Sequence, residues 1–326
     1  MRSLLRGVVV GFATMLPALS VAPAAGQDYP SRVVKIIVPF GAGGSADVFS
    51  RQIAQSLQEQ FKQSFVVESR PGGGAIIGTQ QVATAAPDGY TLLTISNTHT
   101  INESLKPEIP YKLMRDFVPV AGINYSDLVM VIHPSVPATN LKEFIALAKK
   151  EPGKFNYGSS GPGTPYHMVA ELFKTMTGTD IVHVPHKASG EMRNAVIGGH
   201  IQMAFDAVTT MAANVKAGQV RALGTTSPQR SSVLPDVPTI AEAGIPGYEA
   251  TIWQGIVAPK GTPPEIVAKL NAAINQAINK PEVLAGWSAQ GASPLVMTAA
   301  EFGAYLQKDV DKWAKVVDTA GLAPKK

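Results

Sequence analysis

The chain contains no cysteine. That absence excludes a disulfide framework, thiol catalysis and the lipidated cysteine that would anchor an exported lipoprotein. Charge is scarce as well, at 16% of 326 residues. The net charge is only +4, and there is no dense lysine and arginine run or basic-aromatic alternation, so a nucleic-acid partner is not expected. The six histidines, at 99, 133, 167, 183, 186 and 200, show no H-E-x-x-H or Cys/His spacing, so no metal is expected. "GSSGPG" invites a serine-hydrolase reading but misses the nucleophile pattern: Ser160 would need glycine where Pro162 stands, and Ser159 would need it where Tyr157 stands. No pair of carboxylates stands out for acid-base work, and no solenoid period or low-complexity linker is visible.

What is present begins with an address. Arg2 and Arg6 precede the apolar "GVVVGFATMLPAL" and the small residues of "SVAPAAGQ", the order of a secretory signal peptide, with cleavage expected between Ala24 and Gln27. The apolar run is shorter than the roughly 20 residues of a spanning helix. Removing residues 1–27 removes two arginines and no acid, leaving 4 − 2 = +2. The expectation is a soluble protein of the periplasm.

Behind the signal, short β-branched runs alternate with helical ones, which predicts an α/β fold with a largely parallel sheet. "VVKIIVPF", "SFVVESRP" and "YTLLTIS" read as strands. "ADVFSRQIAQSLQEQF" reads as a helix with Val48, Ile53, Leu57 and Phe61 near one face, and "GGAIIGTQQVATAAPDG" as a second helix. From Phe117 the character changes, and a second α/β series follows through "IQMAFDAV". "FVPVAGI" and "WQGIVAP" could be two crossover strands. Two lobes with a cleft between them are expected, the first formed by residues 28–122 plus 251–326, the second by 123–250.

Three loops after strands share one chemistry. In "PFGAGGSAD", glycines allow close backbone approach and leave amide N–H groups free at a helix start, where a carboxylate or phosphate is favoured. Phe40, Gly43, Gly44, Ser45 and Asp47 are candidates there, with Asp47 either an acid or, more in keeping with its place, a helix cap that orders the loop. "SNTHTIN" offers Ser96, Asn97 and Thr98 as neutral donors, or an ordinary polar turn. "YGSSGPGTPYH" repeats the glycine and hydroxyl chemistry with Ser159, Ser160, Gly161, Gly163 and Thr164. One such loop per lobe could grip an anion from two sides. His167 and His186 read as hydrogen-bonding cleft or core residues. Asp206, alone at a strand end, is either a ligand contact or a cap.

Gly41-Ala-Gly43-Gly44-Ser-Ala46 also satisfies the dinucleotide fingerprint, and Glu68 ends the second strand where a ribose-binding acid would lie. Pro39 and Phe40 before the first glycine, and export away from the nicotinamide pool, argue against a nicotinamide-dependent enzyme.

Taken together, "YPSRVVKIIVPFGAGGSADVFSRQIAQSL", "VVESRPGGGAIIGTQQVATAAPDGYTLL", "NYGSSGPGTPYHMVAELF", "VPHKASGEMRNAVIGGHIQMAFD" and "WQGIVAPKGTPPEIVAKLN" resemble the Bug, or TctC-like, extracytoplasmic solute receptors of tripartite tricarboxylate transporters. The resemblance runs in order from Tyr29 to the C-terminal helices. It implies a type II periplasmic binding fold, a cleft that closes on a small organic carboxylate, delivery to membrane permease subunits, no enzymatic activity and no cofactor, in a protein expected to act as a monomer. It also implies that residues 40–47 and 159–167 face the anion, that Asn97 and Thr98 line the cleft, that Phe205 and Asp206 face it from the second lobe, and that Trp253 lies near a crossover. This chain departs from the family's V-P-Y-K-G in having His186 for tyrosine and Ala188 for glycine, at the end of the pocket that chooses between ligands. A regulatory role, presenting the closed form to a sensor kinase, is the alternative to transport.

Overall fold

A computed structural model describes residues 29–319 and 321–323, so the expected signal segment at residues 1–27 lies outside the described residues. The chain opens with β1 (Val34–Val38), α1 (Ser45–Phe61), β2 (Phe65–Ser69), α2 (Ile76–Ala83) and β3 (Thr91–Ser96). β1 lies parallel between β2 and β3, the arrangement that β-α-β-α-β alternation predicts. Phe49, Ile53 and Leu57 recur at helical spacing and bury one face of α1, while Lys62 ends the helix in the left-handed region at φ 54°.

After α3 (Asn97–Leu105) and the short α4 (Leu113–Asp116) comes the 16-residue β4 (Phe117–Ile132). The next elements are α5 (Leu141–Lys150), β5 (Asn156–Ser159), α6 (Pro165–Thr177), β6 (Val182–Pro185), α7 (Ser189–Ile197), β7 (Met203–Ala207), α8 (Val208–Lys216) and β8 (Arg221–Thr225). β9 (Thr251–Pro259) returns, followed by α9 (Pro264–Ile278), α10 (Pro281–Ser288), β10 (Ala292–Pro294) and α11 (Ala299–Thr319).

β4 changes company in mid-course. Its first part, to Asp127, pairs antiparallel with β9, and its last part, from Leu128, pairs with β7 and β8. The strand order β2-β1-β3-β9-β4-β7-β5-β6 therefore passes from one lobe to the other at β4. Each lobe has its own core. Leu128, Phe144, Tyr157, Phe173, Phe205 and Tyr248 belong to one cluster, and the first sheet is packed on both faces, by Phe49, Leu270 and Trp287 on one and by Trp253, Phe302 and Leu306 on the other.

Two local expectations change. The helix read from Gly73 begins only at Ile76, because Gly72, Gly73, Gly74 and Ala75 take φ values of 139°, 62°, 69° and 74°. A left-handed run cannot propagate a right-handed helix. The polar exit "NTHTIN" is itself helical, as α3. Ser96 caps it by accepting from the Thr98 N–H (3.3 Å), and the His99 ring Nδ1 accepts from the Ser96 N–H (3.1 Å).

Candidate functional site

Helix starts gather at one place. The N-cap residues of α1, α2, α3, α6 and α7 are Gly44, Ala75, Ser96, Thr164 and Ala188. All five line a single cavity of about 520 Å³. The first amide groups of a helix have no acceptor within it, and the aligned peptide dipoles place partial positive charge at that end. In α1, for example, Val48 is the first to donate back, to the Gly44 carbonyl, so the Ser45 and Ala46 N–H groups precede the ladder. Among the described residues lining the cavity, the charged side chains are Lys106 and Lys187, and none is acidic. Peptide dipoles and side chains thus agree in sign, and the site suits an anion.

The two lobes meet around this cavity on glycines. A Cβ on Gly41 would lie 2.5 Å from the Ala188 Cβ, and one on Gly44 would lie 2.9 Å from the Ser189 hydroxyl. A Cβ on Gly74 would lie 2.9 Å from the Pro162 carbonyl. Residues of the first lobe therefore touch those of the second along two seams, where only hydrogen fits. Tyr166 is buried in the same place. Burial and the charge of Asp206 push its phenol well above the ordinary range, against hydrogen bonding to Ser45 and Ser189.

Of the residues singled out in the sequence, Phe40, Gly44, Ser45, Ser96, Ser160, Gly161, Thr164, His186 and Ala188 line the cavity. Gly43 does not: it is exposed, and its N–H is spent on Asp47 rather than on a ligand. The others stand behind the cavity. Asp47 is buried, and its carboxylate accepts from the Gly43 N–H (3.1 Å) and the Ser69 hydroxyl (3.2 Å) while pairing with Arg51 (2.9 Å). Burial alone would raise this carboxyl, but Arg51 together with the Gly43 and Ser69 donors holds it below the usual carboxylate range. Asp47 thus fastens the first loop from outside. Ser159 and His167 fasten the second: the Ser159 hydroxyl accepts from the Gly161 N–H (3.1 Å), and His167 Nδ1 accepts from the Gly163 N–H (3.2 Å). Ser159 also shares a 2.6 Å hydrogen bond with His183 Nε2, whose ring stacks on that of His167 at 4.2 Å between centroids. Burial, then the neighbouring His167, lowers His183 to about 4.

Asn97 Oδ1 accepts from the Trp253 N–H (3.0 Å), and the Trp253 indole donates to Asp309 (3.1 Å), so both tie α3, β9 and α11 together. Thr98 is fully buried on α3, and Phe205 lies in the second core, stacked on Tyr248. Asp206 is fully buried in an ion pair with Arg193 (2.7 Å) and accepts from the Ala207 N–H, binding α7 to the end of β7. Glu68, the ribose acid of the dinucleotide reading, is engaged by Lys35 and Arg70 and does not line the cavity. Among the described residues, no three His, Asp or Glu gather as a metal site.

Sequence reasoning did not pick out Lys106, Gln254 or the Gly72–Gly74 run as site residues, yet all line the cavity. Gln254 is fully buried on β9; its Nε2 reaches the Ser45 hydroxyl (3.3 Å) while its Oε1 has no protein partner. A lone amide inside the apolar "TIWQGIVAP" was the signal available for it.

With this geometry in view, the comparison with known proteins is direct: the profile described as "Tripartite tricarboxylate transporter family receptor" matches residues 49–322. The chain belongs to this receptor family. BugT of Bordetella pertussis is 37% identical to the receptor over 302 residues, covering 92% of this chain and 93% of BugT. Among solved structures, R. palustris Rpa4515 with adipate is 34% identical and has a TM-score of 0.88, covering 91% of this chain and all of that one. The periplasmic binding protein BugD is 30% identical, with a TM-score of 0.87 over 91% of the receptor and all of BugD. The receptor therefore has the two-lobed α/β fold of the periplasmic binding proteins, joined by strands that cross between lobes, with its cavity in the cleft. The relatives it matches are receptors and not enzymes.

Proposed function

We propose that this receptor captures a small organic carboxylate in the periplasm, closes around it, and hands it as a monomer to the membrane permease subunits of a tripartite transporter. The single observation that carries this reading is the convergence of five helix N-termini on one cavity with two lysines and no acid. The adipate on Rpa4515 supports the same ligand class. In this reading residues 1–27 are the export signal, and the lobes, 28–122 plus 251–326 and 123–250, move as bodies about β4 and β9. Closure is ordinary linkage: a ligand that touches both lobes favours the closed state by its differential affinity for it.

Within this reading the carboxylate sits against Phe40, the Gly44 and Ser45 amides, Ser160 and Thr164, with His186 and Ala188 on the side that selects the rest of the ligand. Asp47, Asn97, Thr98, Ser159, His167, Phe205, Asp206 and Trp253 hold those groups in place from behind. Binding needs no covalent step, and no cofactor takes part. Differential scanning fluorimetry against mono-, di- and aromatic carboxylates tests it. A rise in melting temperature with some members of the panel is expected, and no rise with any of them would sink the proposal.

A further inference from the structure

Lys106 is the residue after α3, and its side chain enters the cavity wall between the Gly72–Ala75 loop of the first lobe and the Pro162 region of the second. Its ammonium donates to the Gly73 carbonyl (2.9 Å). An ammonium carries three donors, so this bond leaves two of them free. No carboxylate among the described residues lies within ion-pair distance of it. Glu103, one turn away, is taken by Lys112 (3.8 Å) and by the Leu113 N–H (2.6 Å), and Glu171 by Lys174 (2.8 Å) and the Tyr157 hydroxyl.

A half-buried cation without a counter-ion is costly, and burial accordingly lowers this lysine below its ordinary range. The chain nevertheless makes room for it. A Cβ on Gly74 would stand 2.6 Å from the ammonium, so the first-lobe glycine loop packs directly against it. Lys187, the other lining lysine, is exposed, where water and salt screen it.

We infer that Lys106 supplies the counter-charge for a second carboxylate of the ligand, so that the receptor discriminates dicarboxylates from monocarboxylates of equal chain length. The inference rests on the carboxylate-receptor reading and adds a residue to it. The helix N-termini make short, fixed hydrogen bonds suited to one end of a ligand. A lysine is a point charge on a flexible stem and tolerates a second end at variable reach.

Isothermal titration calorimetry with adipate against hexanoate, and succinate against butyrate, provides the test on the wild type and on Lys106→Met, Lys106→Gln and Lys106→Arg. The wild type should bind at least one dicarboxylate about tenfold or more tighter than its monocarboxylate partner, as a buried charge pair implies. Lys106→Met and Lys106→Gln should abolish that ratio by weakening the dicarboxylate alone, and Lys106→Arg should keep it. Glutamine retains a donor for the Gly73 carbonyl and covers the case in which the methionine variant fails to fold. A wild-type ratio near one, a ratio that survives the loss of charge, or equal weakening of both ligands overturns the inference while leaving the receptor reading intact. Failure of every carboxylate to bind the wild type would remove the receptor reading, and this inference with it.

Discussion

The loop at residues 40–47 and the loop at 159–167 present the same chemistry to one cavity, but they are fastened by different means. Behind the first stands a charged knot, in which Asp47 takes Gly43, Ser69 and Arg51. Behind the second stand neutral groups: the Ser159 hydroxyl and His167 Nδ1 accept from the loop's N–H groups, and His183 shares a hydrogen bond with Ser159. The difference teaches that two halves of one clamp can answer to different conditions. An ionised carboxylate keeps its grip until strong acid, whereas an imidazole that must accept a hydrogen bond loses that ability on gaining a proton.

The largest expected effect breaks the meeting of the two halves. Gly41→Ala places a methyl against Ala188 and should weaken ligand binding by about 100-fold or more through loss of the closed state, while the melting temperature of the free protein changes little. Adding Ala188→Gly in the same chain should restore most of the affinity. Calorimetry on the single and double variants checks this, and a double variant as weak as the single would show that the seam is not the cause.

The next effect separates the loops by pH. His183 has a folded value near 4 against an ordinary 6.5, so its contribution to stability is complete above about 6.5 and is lost as pH falls towards 4. A shift of that size at a partly exposed ring amounts to about 2 kcal/mol after allowance for screening. Asp47 is held below its ordinary 3.8, so its contribution persists through that window and fails only in stronger acid. Urea unfolding at pH 7, 5.5 and 4.5 should therefore show a decline that His183→Asn reduces and Asp47→Asn does not. Part of it remains in the His183 variant, because burial also lowers His99 to about 4 and lowers His167.

Smaller effects sharpen the same contrast. Asp47→Asn should cost about 1–2 kcal/mol, since Arg51 is half exposed and stays hydrated when its partner is lost. His167→Phe, which leaves the Gly163 N–H without its acceptor, should cost about 1 kcal/mol and weaken binding only severalfold. Chemical denaturation ranks the two, and a larger loss at His167 than at Asp47 would reverse the assignment of the stronger fastening.

Much of this architecture was legible in the sequence, because strand and helix periods are local. The β-branched runs at 34–38, 65–69 and 91–96 and the helical spacing of Val48, Ile53, Leu57 and Phe61 predict β1, β2, β3 and α1 with no knowledge of the rest. The face that α1 buries is nevertheless turned, so that Phe49 packs inside with Ile53 and Leu57 while Val48 and Phe61 are only partly covered. The cavity was legible where its residues follow strands through glycine, at 40–45 and 160–164. It was hidden elsewhere for identifiable reasons. Gly72 to Ala75 abut a helical pattern that masks their left-handed turn. Trp253 and Gln254 are neighbours on one strand, so they point to opposite faces, and only the packing of Phe302 behind Trp253 shows which side is the cleft. Lys106 carries no local signal, since its place in the wall is set by the Gly73 carbonyl and the Gly74 backbone, which it meets only in the folded chain.

The five helix starts around the cavity have one more consequence. A positive field made from peptide groups has no titration curve and no single side chain whose removal abolishes it. Acid can loosen the loops and a substitution can change which anion is preferred, but the sign of the attraction is written into the backbone. Side-chain variation around this cleft is therefore free to explore new ligands while the requirement for negative charge stays fixed, as a property of the fold and not of any one residue.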